Sequence, residues 1–264
     1  ITILIIFSFL NQKILTKLSF TLFLFAFLSL LLVPFLGIEV KGSKRWLDLM
    51  FLPRFQPVEI VKPFFIVTLS LMLTIQNRRL YFKYFLSILF ILPILMLLVY
   101  QPDIGQTLLI AMVWLALIFV SGINIFVFFI FFLFVSITIS YLVLFVPKFE
   151  YIKIRLFAFL DSSSGNNYQA EKASDAIING GFFGKGIGEG TLNSRVPEAH
   201  TDYIVSVISE EFGAIIVIGI LFLYLIFSYR VIRKINFLKE DLSKLILIGC
   251  ISLILIQTFI HVGV

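Results

Sequence analysis

Between residues 197 and 213 the chain reads PEAHTDYIVSVISEEFG, placing Glu198, Asp202, Glu210, Glu211 and His200 at the edge of a long apolar run. These acids are the residues best able to handle protons, and they sit where a lipid-embedded chain should avoid charge. Pro197 can open a helical turn, which would set Glu198 and Asp202 four residues apart on one face. Asp202 also suits a purely structural task, N-capping a span that starts at Tyr203. Glu210 and Glu211 read as lying about two turns inside that span, where a charge must be paired, protonated or face a wet cavity. His200 by itself says little.

A second group lies in KGSKRWLDLMFLPRFQPVEIVK, residues 41–62. Lys44, Arg45 and Arg54 form a basic loop beside Trp46, a residue suited to the membrane interface. Such cations can grip a lipid-linked phosphate through charge-assisted bonds, or simply snorkel to headgroups. Glu59 and Lys62, three apart on the entering helix, can neutralise each other. Residues 179–190, NGGFFGKGIGEG, match neither a Walker loop nor a dinucleotide fingerprint. They suit either a flexible or tight turn, or backbone amides approaching a phosphate. In QPDIGQ, Pro102 ends one helix and Asp103 can cap the next.

The elements that must position these residues are membrane spans. The 264 residues are 60% hydrophobic and 14% charged, with mean hydropathy +1.09, far from soluble composition. Runs at 18–38, 84–102 and 245–264 are uncharged and long enough to cross a bilayer. The uncharged run 104–147 is twice that length and breaks at the turn signal 121–124. Residues 57–76 and 203–229 make two further spans that carry charges, and 1–10 reads as half of another. The expectation is an all-α polytopic helical bundle of about eight transmembrane segments, forming one membrane domain over 1–264. Its one large loop is 148–202.

The net charge of +6 reads as basic loops facing anionic membrane lipids rather than as a nucleic-acid footprint. Two sets of loops carry equal numbers of Lys and Arg. The short, densely basic set (11–17, 77–83, 121–124 and 230–244) is placed in the cytoplasm, which puts 39–56 and 148–202 outside. The single Cys250 lies in an apolar segment and defines no disulfide.

KGSKRWLDL with FQPVEIVK, QPDIGQT, YQAEKASDAIINGGFFGKGIGEG, PEAHTDYIVSVISEEFG and QTFIHVGV occur in that order. Together they resemble the SEDS family of FtsW, RodA and SpoVE. Ala199 and the glycine-rich string resemble its division branch, FtsW, of alphaproteobacterial type. The family has ten spans, and this chain resembles the second through the ninth, as a fragment lacking the first and last.

The resemblance implies a peptidoglycan glycosyltransferase of the bacterial inner membrane, acting at the division septum. It would polymerise lipid II, the undecaprenyl-pyrophosphate-linked disaccharide peptide. A class B penicillin-binding protein transpeptidase and other divisome proteins are the implied partners. The family's essential acid falls on Asp202, which would act as general base, with Arg45, Arg54, Lys62, Arg195, Glu198 and His200 meeting substrate. Trp46, Gln56, Glu59, Asp103, Glu210 and Glu211 would support them. Glu210 and Glu211 would line or brace a cavity, held by Lys62 or a partner on another span. No cofactor is certain; a divalent cation, Mg or Mn, is compatible with the chemistry, but no ligand set is visible.

Three positions depart from the family pattern: Tyr203 stands for Phe, His261 for Asn, and Ser194 for an acid that some members carry. The last disfavours a two-carboxylate mechanism. The competing readings are a lipid II flippase, for which the intramembrane charges would matter more than Asp202, an elongation polymerase of RodA type, and an inactive scaffold.

Overall fold

The structure, a computed structural model, describes residues 9, 11–40, 43–48, 53–75, 80–150, 153, 168–191 and 204–263. Among them the chain forms nine α-helices and one two-stranded hairpin. Helix α1 spans Gln12–Leu36, and the hairpin strands β1 and β2 span Ile38–Val40 and Ser43–Trp46. Then come α2 Pro57–Thr74, α3 Leu80–Tyr100, α4 Ile104–Val120, α5 Ile125–Phe145, α6 Tyr168–Gly180, α7 Ile204–Phe212, α8 Ala214–Ile235 and α9 Asp241–Gly263. Six of these (α1, α2, α3, α5, α8 and α9) are long and apolar enough to cross a membrane, and α4 is an apolar helix of 17 residues. The expected half-span at 1–10 lies, save for Phe9, outside the described residues. The chain is a multi-pass membrane protein.

Beyond the earlier starts of α1, α3 and α9, two features differ from the hydropathy reading. The loop 39–56 contains an antiparallel hairpin in which Glu39 stands opposite Lys44. The single span expected over 203–229 is two helices, because Gly213 takes φ 85° between α7 and α8. The membrane-length helix begins at Ala214 and continues to Ile235, with Arg233 and Lys234 in its last turn where cations complement the helix dipole. The high overall hydropathy of 203–229 hid a break that backbone conformation dictates.

The chain divides into two compact units, Ile1–Ile137 with Leu238–Leu253, and Thr138–Phe237 with Ile254–Val264. In the first, α2 is the core helix, burying Val61, Phe65, Ile66 and Leu69. Phe65 stacks on Phe90 of α3 with ring centroids 5.6 Å apart, and Phe23 of α1 meets the same ring at 4.8 Å. Trp114 of α4 donates its indole N–H to Ser87 Oγ at 3.3 Å, so the buried polar tip keeps a partner. Gly249 of α9 lets that helix lie against α2, since a methyl there would come within 2.5 Å of Ile66 Cγ2. In contrast, α5 is apolar on every side and nearly all its side chains are open, as expected of a helix whose solvent is lipid.

In the second unit α6 and α7 pack together, joined by the turn after Gly180. That turn and the end of α6 supply hydrogen-bond partners to Glu210 and Glu211.

Candidate functional site

Helix α7 starts two residues after Asp202 and ends at Phe212. Its length of nine residues leaves the final carbonyls without intrahelical donors. The glycine-rich turn supplies them: Lys185 N donates to Glu210 O at 2.9 Å and Gly186 N to Glu211 O at 3.0 Å. The same turn serves the start of α8, where Ala214 N donates to Gly181 O at 2.9 Å and Ile215 N to Phe182 O at 3.3 Å. One turn thus caps two helix ends. Of the two readings of these glycines, the tight turn is the one the amides of Lys185 and Gly186 serve, since they donate to α7 carbonyls.

Glu210 is completely buried. Its Oε1 accepts from Asn179 Nδ2 at 2.9 Å and from the Thr191 backbone N–H at 3.0 Å. Glu211 Oε1 accepts a longer bond from Gly188 N at 3.4 Å. These acids therefore do not lie two turns down a long span, as their position in the apolar run predicted. They brace a short helix against the turn and α6. Sequence reading missed Asn179, whose only signal was an Asn-Gly-Gly string that reads equally well as a plain turn.

The first unit holds a second polar cluster. Asp103 N-caps α4, its Oδ1 accepting from Gln106 N at 3.4 Å. Its Oδ2 accepts from Gln56 Nε2 at 3.0 Å and lies 3.8 Å from Arg45 Nε. Arg45 Nη2 donates to Pro102 O at 2.6 Å. Gln106 Nε2 reaches Glu59 Oε1 at 3.0 Å, and Glu59 Oε2 pairs with Lys62 Nζ at 2.6 Å. Arg54 Nε donates to Asp48 Oδ2 at 3.0 Å. Of the cations expected to grip a phosphate, Arg45, Arg54 and Lys62 each face a carboxylate. Each carboxylate offsets part of its cation's field on an anion. Trp46 closes β2 at the edge of this cluster.

Lys62 is 3% exposed and Glu59 45% exposed. Removing charge from Glu59 takes from the buried Lys62 ammonium its carboxylate partner at 2.6 Å, a loss that typically costs about 3 kcal/mol. Glu59→Gln is expected to lower thermal stability of the full protein in detergent by that order, and adding Lys62→Met should recover most of the loss. A double variant no better than Glu59→Gln would show that the pair is not what the charge on Glu59 supports.

Burial pushes the Asp103 carboxyl above its ordinary value, while Arg45 and the Gln106 N–H pull it back. A carboxyl raised on folding contributes stability that is present below its unfolded pKa and is lost as pH rises through its folded pKa. The native protein should therefore lose stability over that interval relative to Asp103→Asn. The variant should also be less stable by a constant offset, because its amide would turn a donor toward Gln56 and Arg45. Melting curves against pH check this; parallel curves for the two proteins would refute it.

Asp202, Arg195, Glu198 and His200 lie outside the described residues. The structure describes both flanks of their segment: Thr191 before it bonds to Glu210 near the end of α7, and Ile204 after it begins that helix. Among the described residues no three of His, Cys, Asp and Glu converge on a metal-sized site.

The family profile described as cell cycle protein, for FtsW, RodA and SpoVE, matches residues 1–264. The chain is 30% identical over 264 residues to a probable peptidoglycan glycosyltransferase FtsW of Caulobacter vibrioides, covering 99% of this chain and 66% of the relative. It is 34% identical over 254 residues to a protein of the same name from Enterococcus hirae, covering 89% and 62%. It spans about two thirds of the length of these relatives. Among solved structures it resembles a chain of a peptidoglycan synthase complex, with TM-score 0.76, 25% identity and coverage of 98% and 73%. It shares the fold of the rod-shape-determining protein RodA of Thermus thermophilus, with TM-score 0.66, 23% identity and coverage of 98% and 70%.

Proposed function

The chain belongs to the FtsW, RodA and SpoVE family of cell-cycle proteins, and from that premise we propose that it carries the catalytic region of a peptidoglycan glycosyltransferase. The reaction is polymerisation of lipid II into glycan strands for the septum, at the outer face of the bacterial inner membrane. Region 148–202 then lies outside the cell. The names of the similar relatives favour the division branch over the elongation one. The likeness to a chain of a peptidoglycan synthase complex supports a class B penicillin-binding protein as partner.

The observation that carries the reading to one place in the chain is the closure around Glu210. The buried carboxylate holds Thr191, and its own helix begins at Ile204. The described residues on either side of Arg195, Glu198, His200 and Asp202 are thus both tied to one helix. A base needs such anchoring, since it must stay within hydrogen-bond reach of the proton it removes.

In the proposed step the 4-hydroxyl oxygen of the acceptor sugar attacks the anomeric carbon of the donor. Asp202 takes the hydroxyl proton. The bond from that carbon to the lipid pyrophosphate breaks, and its electron pair leaves with the phosphate oxygen. One in-line displacement inverts the anomeric centre. The leaving group is already good, so positive charge serves it better than a general acid. This is why one carboxylate suffices where glycoside hydrolysis uses two. With Arg45, Arg54 and Lys62 facing carboxylates, Arg195 becomes the foremost candidate for that charge.

The test is synthesis itself. The full-length parent protein with its transpeptidase partner, given labelled lipid II, should yield a ladder of glycan chains. The absence of any chain would overturn the reading. Among the described residues, the pairing of buried Lys62 with the more exposed Glu59 favours a transporter. That reading predicts movement of labelled lipid across vesicles without chains.

A further inference from the structure

Asn179, next to the last residue of α6, uses both ends of its side-chain amide. Its Nδ2 donates to Glu210 Oε1 at 2.9 Å, and its Oδ1 accepts from Lys185 Nζ. Glu210 Oε1 receives the Thr191 N–H at 3.0 Å as well. A continuous series therefore runs from an exposed ammonium, through a neutral amide, to a buried carboxylate, and from there to the backbone of the turn. Only a group that donates and accepts at once fits the middle position. An amide does so without adding charge beside Glu210, and the ammonium polarises it in the sense that strengthens its donation.

We propose that Asn179 is a positioning residue for the proposed glycosyl transfer. It orients the Glu210 carboxylate so that Thr191 stays fastened to α7, fixing the separation of the two flanks between which Asp202 lies. The inference rests on the reading of Asp202 as the base, and deepens it. Asn179 touches no reacting atom. Its effect passes through Glu210 and Thr191, so its loss should slow turnover without weakening substrate capture. Among the described residues, the charged groups on the elements that carry this series are Lys185 and Glu189 on the turn, Glu210 and Glu211 on α7, and Lys172 and Asp175 on α6, the last two paired at 3.0 Å.

Two variants of the full-length protein with its partner test this. Asn179→Ala should speed hydrogen exchange at the Thr191 amide about tenfold. It should also lower kcat for chain synthesis about tenfold, with KM for lipid II within about twofold, the pattern of lost transition-state positioning. Asn179→Asp keeps an acceptor for Lys185 but sets a carboxylate against Glu210. Two facing carboxyls share a proton with a raised apparent pKa, and that proton restores a donor to Glu210. Its exchange and turnover, each taken relative to wild type, should therefore approach wild type as pH falls toward about 5, whereas Asn179→Ala should show no such recovery.

Unchanged Thr191 exchange in both variants, or a flat pH ratio for Asn179→Asp, overturns the proposal. A rise in KM without a fall in kcat overturns it too. Should the alanine variant fail to fold, the acid recovery of the aspartate variant decides alone. If wild type makes no chains, the transferase reading falls, while Thr191 exchange still decides the coupling.

Discussion

Asp202→Asn is expected to abolish detectable glycan-chain synthesis, with a rate loss of about 10³-fold, while leaving folding and partner capture intact. General-base catalysis typically contributes between 10² and 10⁴ in rate, and an amide of the same shape cannot take the acceptor's proton. The substitution is nearly isosteric and retains an oxygen able to cap a helix. A stability change well under 1 kcal/mol is therefore expected, in line with the small differences among capping residues. This combination separates the proposed roles. A capping duty alone would leave synthesis near wild type. A flippase would be indifferent to Asp202 and sensitive to Lys62 and Glu59. An inactive scaffold would make no chains with either residue. Equal ladders from wild type and Asp202→Asn would remove Asp202 from the chemistry, and the partner-bound, full-length protein is the form in which the comparison has meaning.

What the sequence could and could not reveal follows from the physics of each element. Helices α1, α3 and α9 were legible because a bilayer demands about 20 apolar residues in a row, and that demand overrides local propensity. The break between α4 and α5 at Ser121 and Gly122 was legible because turn residues interrupt an otherwise uniform run. The break at Gly213 was not, because α7 is apolar enough to extend a hydropathy window although it carries Glu210 and Glu211. Hydropathy measures transfer into lipid; it does not register a residue at φ 85°. The same blindness applied to the cations. Arg45, Arg54 and Lys62 were visible as charges, but Asp103 lies on another stretch of chain from Arg45 and Asp48 stands six residues from Arg54, a spacing that no helical pairing rule selects, so only Glu59, one turn from Lys62, could be matched from spacing. The glycine-rich string announced a special backbone without saying what the backbone was for.

That last point can be measured, because Gly184 and Gly188 share a φ of 76° but not an environment. Around Gly188 a methyl group would meet nothing within 4 Å. At Gly184 it would run into the carbonyl of Glu211, one of the two α7 carbonyls that the turn caps. Both positions hold a left-handed conformation that costs an ordinary residue about 1–2 kcal/mol. Gly188→Ala should therefore lower stability by about 1 kcal/mol. Gly184→Ala must in addition push the turn away from α7, stretching the bonds from Lys185 N and Gly186 N, each worth about 1 kcal/mol net. A loss of about 3–4 kcal/mol is expected, read as thermal unfolding of the full protein in detergent. Hydrogen exchange should rise at Lys185 and Gly186 in the Gly184 variant and stay near wild type in the Gly188 variant. Chain synthesis should follow the same order, since α7 carries the Ile204 flank of the Asp202 segment and the turn is what holds the far end of that helix. Equal losses from the two variants would mean that the close approach of turn to helix is not what these glycines serve, and that backbone conformation alone accounts for them.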